Sequence, residues 1–128
     1  MEDFIIKTVL ANGLTVVTEH IPSVKSVTAG IWVKSGARHE TQKQAGVTHF
    51  LEHMLFKGTK NRTAFEIAQS MESVGGYLNA FTSTEYTCYY ARCLDTELTT
   101  ALGVLSDMVM NPIFSKEEIE KEKKVVIE

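Results

Sequence analysis

The sequence predicts an α+β fold in which helices pack on one side of a largely antiparallel sheet. The first part of the chain consists of short runs of β-forming residues, and the part that follows changes to the helical period of about 3.6 residues. One further pair of strand patterns and two further helix patterns come after it. The resulting order of elements, ββ-β-α-α-ββ-α-α, is typical of α+β domains.

Three strands are predicted in the N-terminal part. Lys7–Leu10 and Leu14–Glu19 are rich in β-formers, and Asn12-Gly13 between them favours a hairpin because both residues tolerate a positive φ. Val27–Val33 is predicted to be a third strand, and its long apolar content indicates a buried position. The polar segment 35–44 is predicted to be a loop.

Two helices are predicted next. The first runs from about Ala45 to a stop at Gly58, because apolar residues recur at helical spacing. Its apolar stripe consists of Val47, Phe50, Leu51, Met54 and Leu55. The second helix begins at Thr63, which forms a capping box with Glu66, and ends at the glycine pair 75–76.

The strand pattern then returns in Tyr77–Phe81 and Tyr86–Cys93, which are joined by a short turn. A third helix follows, with Asp95 or Thr96 as its predicted N-cap. Pro112 stops this helix because proline cannot continue the hydrogen-bond ladder.

The last predicted helix begins with a second capping box, formed by Ser115 and Glu118. It continues to Glu128 without a glycine, a proline or a basic last turn. An apolar stripe next to a free carboxylate at the negative end of a helix is unfavourable. We therefore expect residues 1–128 to be the N-terminal part of a single α+β domain within a longer chain.

Composition excludes several classes of protein. The chain has 128 residues, of which 44% are hydrophobic and 23% are charged, and its formal net charge is −3. This balance is typical of a globular protein in water and gives no basic surface for nucleic acid or anionic lipid. No apolar run approaches the roughly 18–20 residues of a membrane-spanning helix. Cys88 and Cys93 are predicted to be thiols in or near the core, and the acidic start predicts a location in the bacterial cytoplasm.

The residues that can carry chemistry are concentrated in the first helix, in His49-Phe50-Leu51-Glu52-His53. His49 and His53 are four residues apart, so their imidazoles project from one helix face and can reach one Zn²⁺ at ~2.0–2.1 Å each. Glu52 lies beside that ion without sharing the ligand direction of His53. A carboxylate there suits a general base, which takes a proton from a water that the ion has made more acidic.

The same pattern also fits two histidines on a helix surface beside a solvated glutamate. His49 and His53 border the apolar stripe, however, instead of lying opposite it. Polar rings in that position need partners, and a metal ion supplies one. The sequence therefore favours a zinc site with Glu52 as the catalytic residue.

Several segments resemble the insulinase/pitrilysin-type metallopeptidases, in which the order of the usual H-E-x-x-H zinc motif is inverted. The inverted motif lies in HFLEHMLFKGT. The resemblance extends over essentially the whole chain through NGLTVVTEHIPSVKSVTAGIWVKSGARHE, GGYLNAFTSTEYTCYYARC and EEIEKEKKVVIE. Within that family the chain is similar to bacterial processing proteases and to the β subunit of the mitochondrial processing peptidase. The resemblance implies that His49 and His53 bind zinc and that Glu52 is the base.

The resemblance also implies a third zinc ligand, a glutamate on a later helix. It places this ligand one position after Glu128, and a shift of the alignment by one residue makes Glu128 the ligand instead. Helix geometry agrees with the first alternative, because Glu122 lies on the apolar face of the last helix and Glu128 points away from that face. Glu122 matches a glutamate that supports the ligands without binding the ion. The alternative for Glu122 is a solvated charge among Lys121, Lys123 and Lys124.

Residues 78–82, Leu-Asn-Ala-Phe-Thr, resemble the substrate-binding edge strand of the family, which implies that Asn79 and Ala80 bind substrate. An exposed edge strand holds an extended peptide by backbone hydrogen bonds. The alternative is an ordinary strand of the sheet, and the pattern leaves both possibilities open.

The implied function is that of a zinc-dependent endopeptidase, which cleaves peptides or presequence-like segments with water. The implied enzyme is a homo- or heterodimer in its full-length form, and residues 1–128 are the first part of its catalytic domain. We expect this chain alone to bind zinc weakly and to show no useful turnover, because the third ligand lies outside it. The alternative is a non-catalytic structural or peptide-binding subunit of the same family.

Overall fold

The structure is a computed structural model that describes the backbone of residues 4–127 and the side chains of residues 4–125. The strands of this part are β1 (Ile5–Val9), β2 (Thr15–Glu19), β3 (Ser26–Val33), β4 (Tyr77–Thr82) and β5 (Thr87–Leu94). The helices are α1 (Val47–Met54), α2 (Ala64–Glu72), α3 (Leu98–Met110) and α4 (Lys116–Ile127). Short 3₁₀ turns cover Ala37–His39, Gln42–Gln44 and Asp95–Glu97. The strands pair in antiparallel fashion, and the predicted α+β class is confirmed.

A three-stranded sheet in the order β3-β5-β4 forms the centre of the fold. The central strand β5 directs Tyr89, Ala91 and Cys93 into a core shared with the helices. The helical side of this core consists of Leu55, Ile67, Met71, Ala101, Val104, Leu105 and Met108. Residues of β5 that alternate with the core-facing ones lie on the other face of the sheet. The predicted packing of helices on one side of the sheet is therefore confirmed.

In the described part of the chain β3 is an edge strand without a fully buried residue, so the prediction that Val27–Val33 is buried is wrong. Val27, Ala29 and Ile31 pack against the core, whereas Trp32 on the outer face is 62% exposed. An apolar run shows that a strand can be buried, but not whether it has one neighbour or two. In this sheet β5 takes the central position, because it pairs with both β3 and β4.

β1 and β2 form the predicted antiparallel hairpin. The turn differs from the expectation in one respect, since Gly13 has a φ of 91° but Asn12 does not adopt a positive φ. The amide of Leu10 donates to the carbonyl of Leu14 at 2.8 Å, which closes a three-residue loop. Such a loop needs only one left-handed residue.

Two helices begin at the predicted caps. At the start of α2, Thr63 Oγ1 accepts a hydrogen bond from the amide of Glu66 at 3.1 Å. At the start of α4, Ser115 Oγ accepts one from the amide of Glu118 at 3.2 Å. In both cases the side chain satisfies an amide that has no partner within the helix.

Two other helix boundaries differ from the prediction. α1 ends at Met54, before the predicted stop at Gly58, because the chain tightens into 3₁₀-type turns after it. Neither Asp95 nor Thr96 caps α3, since both lie in a separate 3₁₀ turn that precedes the helix. None of the helices in the described part of the chain is long and apolar enough to cross a bilayer.

Cys88 and Cys93 are buried free thiols, as the sequence predicts. Burial raises the pKa of both thiols, and the charge of Glu97 adds to this effect at Cys93. Both residues are therefore poor nucleophiles and belong to the packing of the sheet.

A buried carboxylate ties the connection between α1 and α2 to α3. Asp107 is 5% exposed, and its Oδ2 accepts hydrogen bonds from Thr59 Oγ1 at 2.6 Å and Arg62 Nη1 at 2.7 Å. Its Oδ1 accepts from Asn61 Nδ2 at 2.7 Å and Asn111 Nδ2 at 3.0 Å. Burial by itself raises the pKa of Asp107, but these hydrogen bonds outweigh it and hold the pKa well below its ordinary value.

Asp107→Asn is expected to lower the free energy of unfolding by about 2 kcal/mol at neutral pH, because Arg62 loses its counter-ion and one amide cannot replace all the acceptors. Folding lowers the pKa of Asp107, so its stabilisation is complete above the ordinary carboxyl pKa of 3.8 and is lost as the pH falls through the folded-state pKa. Urea denaturation at neutral and acidic pH measures the difference, which should shrink on acidification. The exposed Glu72→Gln is the control, and equal stability of Asp107→Asn and wild type at neutral pH would contradict the prediction.

Candidate metal centre

Helix α1 contacts β4 on one side and α4 on the other, and it carries His49, Glu52 and His53. The three side chains come from one helical turn, since residues three and four apart lie on the same face. Ligand atoms of all three lie within 4.8 Å of one another. The structure therefore brings the predicted residues together.

The start of α1 is held by a residue from the preceding loop. Gly46 at the N-cap position has a φ of 89° and no side chain, so it cannot cap the helix itself. Glu40 does so instead, since its Oε2 accepts from the amide of Thr48 at 2.7 Å and its Oε1 from the amide of Gly46 at 2.9 Å. These hydrogen bonds lower the pKa of Glu40, and its charge lies at the positive end of the helix.

The two imidazoles face each other across one turn of α1. Nε2 of His49 and Nε2 of His53 are 3.2 Å apart, and the ring centroids are 4.6 Å apart. Two nitrogen ligands of a tetrahedral Zn²⁺ with bonds of ~2.0–2.1 Å lie about 3.3 Å apart. The donor set and its spacing therefore fit one shared zinc ion.

The side chain of Glu52 is half-buried on the side of α1 that contacts β4. Its Oε2 accepts a hydrogen bond from Thr82 Oγ1. Burial and, to a smaller extent, the charge of Glu52 raise the pKa of Tyr89 to about 12. Glu52 is therefore a half-buried carboxylate on the side of the imidazoles, bonded to β4 and not fully solvated, whereas His49 is exposed. The role of Glu52 as the base stays a prediction.

Glu122 on α4 contacts the other side of the site. It is 5% exposed, its Oε2 is 3.0 Å from Nδ1 of His53, and its Oε1 accepts from Nζ of Lys57 at 2.8 Å. The hydrogen bond from Lys57, opposed by burial and supported by His53, lowers the pKa of Glu122. The alternative of a solvated charge among the α4 lysines is wrong, because Glu122 is buried and its ion-pair partner is Lys57.

β4 is an edge strand of the described sheet, and it also contacts α1. Asn79 and Ala80 lie in the middle of this strand, opposite Tyr90 and Tyr89 of β5. The amide of Ala80 donates to Oδ1 of Asn79 at 2.8 Å. Both residues thus lie on a strand that has a free side in the described sheet, and no hydrogen bond among the described residues joins either of them to His49, Glu52 or His53.

The third predicted ligand is outside this structure. The preferred position follows the last residue of the sequence, and the alternative, Glu128, lies outside the described residues. The backbone of α4 is described up to Ile127. Both alternatives for the third ligand stay predictions.

Sequence reasoning missed the contacts that three residues make around the site. Lys57 follows His53 at helical i, i+4 spacing, and this spacing was a usable signal for a contact near the site. Thr82 and Glu40 carry no such local signal, because their partners are 30 and 8 residues away in the chain.

Comparison with known proteins agrees with this geometry. Residues 15–128 match the model of the insulinase family, peptidase family M16. The chain belongs to this family. The uncharacterized zinc protease YmxG of Bacillus subtilis is 52% identical over 117 residues, which cover 91% of this chain and 29% of YmxG. An uncharacterized zinc protease of Mycobacterium leprae is 50% identical over 122 residues, which cover 95% and 27% of the two chains.

The fold of this M16 chain also matches a solved structure. A crystal structure of a protease from Helicobacter pylori superposes with a TM-score of 0.91 at 28% identity, over 96% of this chain and 30% of the other. The chain thus spans less than a third of the length of these relatives. The names of the relatives and the pair of imidazoles both indicate zinc as the metal.

Glu40→Ala is expected to increase the rate of hydrogen exchange at the amides of Gly46 and Thr48, because both lose the acceptor that holds the first turn of α1. Exchange measured by NMR or mass spectrometry tests this. Glu19→Ala, at the exposed end of β2, is the control and should leave these amides unchanged. Unchanged protection in Glu40→Ala would show that another group caps α1.

Proposed function

We propose that the protein is a zinc-dependent endopeptidase that hydrolyses peptides or presequence-like segments. The observation that carries this proposal is the pair of imidazole nitrogens 3.2 Å apart with a carboxylate oxygen within 4.8 Å. Membership of peptidase family M16 and the zinc protease names of the relatives support it.

His49 and His53 are the proposed ligands, each through Nε2. The third is the residue that follows Glu128, with Glu128 itself as the alternative. Glu122 fixes the tautomer of His53, because an acceptor at Nδ1 keeps the hydrogen there and leaves the Nε2 lone pair for the metal. Lys57 balances the charge of Glu122, which can then act on His53 without binding the ion.

The proposed general base is Glu52. Zinc, when bound, polarises the scissile carbonyl and makes water more acidic. Thr82 bonds to Oε2 of Glu52, and we assign Oε1, the other oxygen, as the acceptor of the proton of the attacking water. The same carboxyl group then gives this proton to the leaving amine as the peptide C–N bond breaks.

The free side of β4 supports a site for extended peptides at Asn79 and Ala80. The amide of Ala80 already bonds to an oxygen outside the β4–β5 ladder, that of the Asn79 side chain. A substrate carbonyl can replace this oxygen and add a strand to the sheet. Backbone pairing of this kind selects for an extended conformation and only weakly for sequence.

We further propose that residues 1–128 are the N-terminal part of a longer catalytic domain. The chain spans only 27–29% of the two zinc proteases compared above, and the described residues contribute two imidazoles to the site. The chain alone should therefore bind zinc weakly and show no useful turnover. A homo- or heterodimer and the bacterial cytoplasm stay predictions, and the buried free thiols agree with a reducing compartment.

A non-catalytic, peptide-binding subunit is the second candidate. The open edge of β4 favours it, because strand addition requires no metal. The position of Glu52 argues against it, since a carboxylate held beside two metal-spaced imidazoles has no use in peptide binding alone. The variant described next separates the two candidates.

Glu52→Gln in the full-length protein is expected to lower kcat by about 10²–10⁴-fold, because the amide cannot accept the proton from water. Zinc content should not change, since Glu52 is not a proposed ligand. Cleavage of a fluorogenic peptide and metal analysis of the same samples test this. Glu117→Gln on the exposed side of α4 is the matched control. Undiminished cleavage by Glu52→Gln would exclude Glu52 as the base.

Glu122→Gln is expected to weaken zinc binding by about 10–100-fold, because the hydrogen bond that orients His53 loses its charge. Competition with a chromophoric chelator measures the affinity in the full-length protein. Glu120→Gln, two residues away on the exposed side of α4, is the matched control. Equal affinities of the two variants would show that Glu122 has no influence on the metal.

A further inference from the structure

We infer that Thr82 is a positioning residue that fixes the carboxylate of Glu52 relative to a peptide bound along β4. This inference rests on the proposed function and assigns one residue a role at the same site. Thr82 is the last residue of β4, and its side chain is half-buried. Thr82 alone thus links Glu52, the proposed base, to β4, the strand proposed to bind the peptide.

The side chain of Thr82 holds the base. Its Oγ1 donates to Oε2 of Glu52, which lies 30 positions earlier in the chain. In this hydrogen bond the hydroxyl of Thr82 is the donor and the carboxylate oxygen of Glu52 is the acceptor. Within the described residues, this is the one hydrogen bond found for the Glu52 carboxylate. Glu52 otherwise keeps the rotational freedom of an unbranched side chain, and the hydroxyl of Thr82 removes it.

The backbone of Thr82 faces the free side of the strand. The amide of Ser83 donates to the carbonyl of Tyr86 at 2.8 Å and the amide of Tyr86 donates to Ser83 Oγ at 3.1 Å, so these two residues occupy the position of a hydrogen-bonded pair. In an antiparallel ladder such pairs alternate with pairs that do not bond each other. Thr82 and Thr87 form the next pair, so the N–H and C=O of Thr82 point away from β5. The Ala80 amide, two residues back, points the same way, since it bonds to Asn79 Oδ1.

Thr82 therefore combines two roles on one α-carbon: its side chain holds the base, and its backbone faces the free side of β4. A peptide that adds to the edge of β4 bonds to the backbone of Thr82, while the hydroxyl of Thr82 sets the position of Glu52. The separation between the peptide and the base is then determined by the covalent geometry of one residue. Displacement of a catalytic group by about 1 Å can cost on the order of 100-fold in rate. Loss of the hydroxyl should therefore act on turnover more than on binding.

The experiment compares Thr82→Val, which removes the hydroxyl at almost constant volume, with Thr82→Ser, which keeps it. In the full-length, zinc-loaded protein, Thr82→Val should lower kcat by about 10–100-fold, and Thr82→Ser should restore most of the activity. Binding of a labelled peptide, measured by fluorescence anisotropy in the Glu52→Gln background, should change by less than about twofold on Thr82→Val, because the backbone contacts stay. Thr87→Val is the matched control, since it removes the hydroxyl of the cross-strand partner, which donates to Ser35 O and not to Glu52.

The possible outcomes distinguish a failure of the role assigned to Thr82 from a failure of the proposed function. Wild-type kcat in Thr82→Val would overturn the role of Thr82 while leaving the proposed function intact. If Thr82→Val weakens peptide binding as much as it lowers kcat, the substitution has damaged the strand, and the role of Thr82 is overturned. The same holds if Thr87→Val lowers kcat as much as Thr82→Val does. If wild-type protein loaded with zinc cleaves no peptide, the proposed function fails, and this inference fails with it.

Discussion

The contact between Glu122 and Nδ1 of His53 is the interaction on which the geometry of the site depends. It joins α4 to α1 across 69 residues of sequence, and with Nδ1 of His53 next to Glu122, Nε2 of His53 faces His49. With the hydrogen on Nδ1, the Nε2 lone pair points into the space between the two rings. The Lys57 ammonium offsets the cost of burying the Glu122 charge, so the carboxylate can stay ionised at 5% exposure.

The helix that carries the motif is too short to be stable alone. α1 has eight residues, and isolated helices below roughly 12–15 residues are marginal in water. Three acidic residues from other parts of the chain compensate for this. Glu40 caps the first turn of α1, and Glu122 contacts His53 on the face of α1. Asp107 accepts a hydrogen bond from Thr59 in the connection that follows α1. The placement of the imidazoles is thus a property of the whole packed domain, and each of these carboxylates has hydrogen-bond donors that keep it ionised.

Local sequence signals predicted the individual strands and helices, but not which of them pack or pair with one another. The Asn12-Gly13 hairpin and the caps at Thr63 and Ser115 are confirmed, because they depend on residues within a few positions of one another. The burial of β3 was predicted wrongly, since strand order is decided by pairing between distant segments. The cap of α1 comes from Glu40, which is six residues before Gly46 and outside the N-cap position where a helix cap is ordinarily read from sequence.

The sequence by itself determined the family, the α+β class and the two imidazoles on one helical turn, because the period of the helix places residues four apart on the same face. The tertiary structure decided which groups surround them. Glu122 and Thr82 reach α1 only after α4 and β4 have packed against it, over separations of 69 and 30 residues. Resemblance to known peptidases indicated Glu122, but its partners follow from long-range packing, which no local pattern of residues specifies.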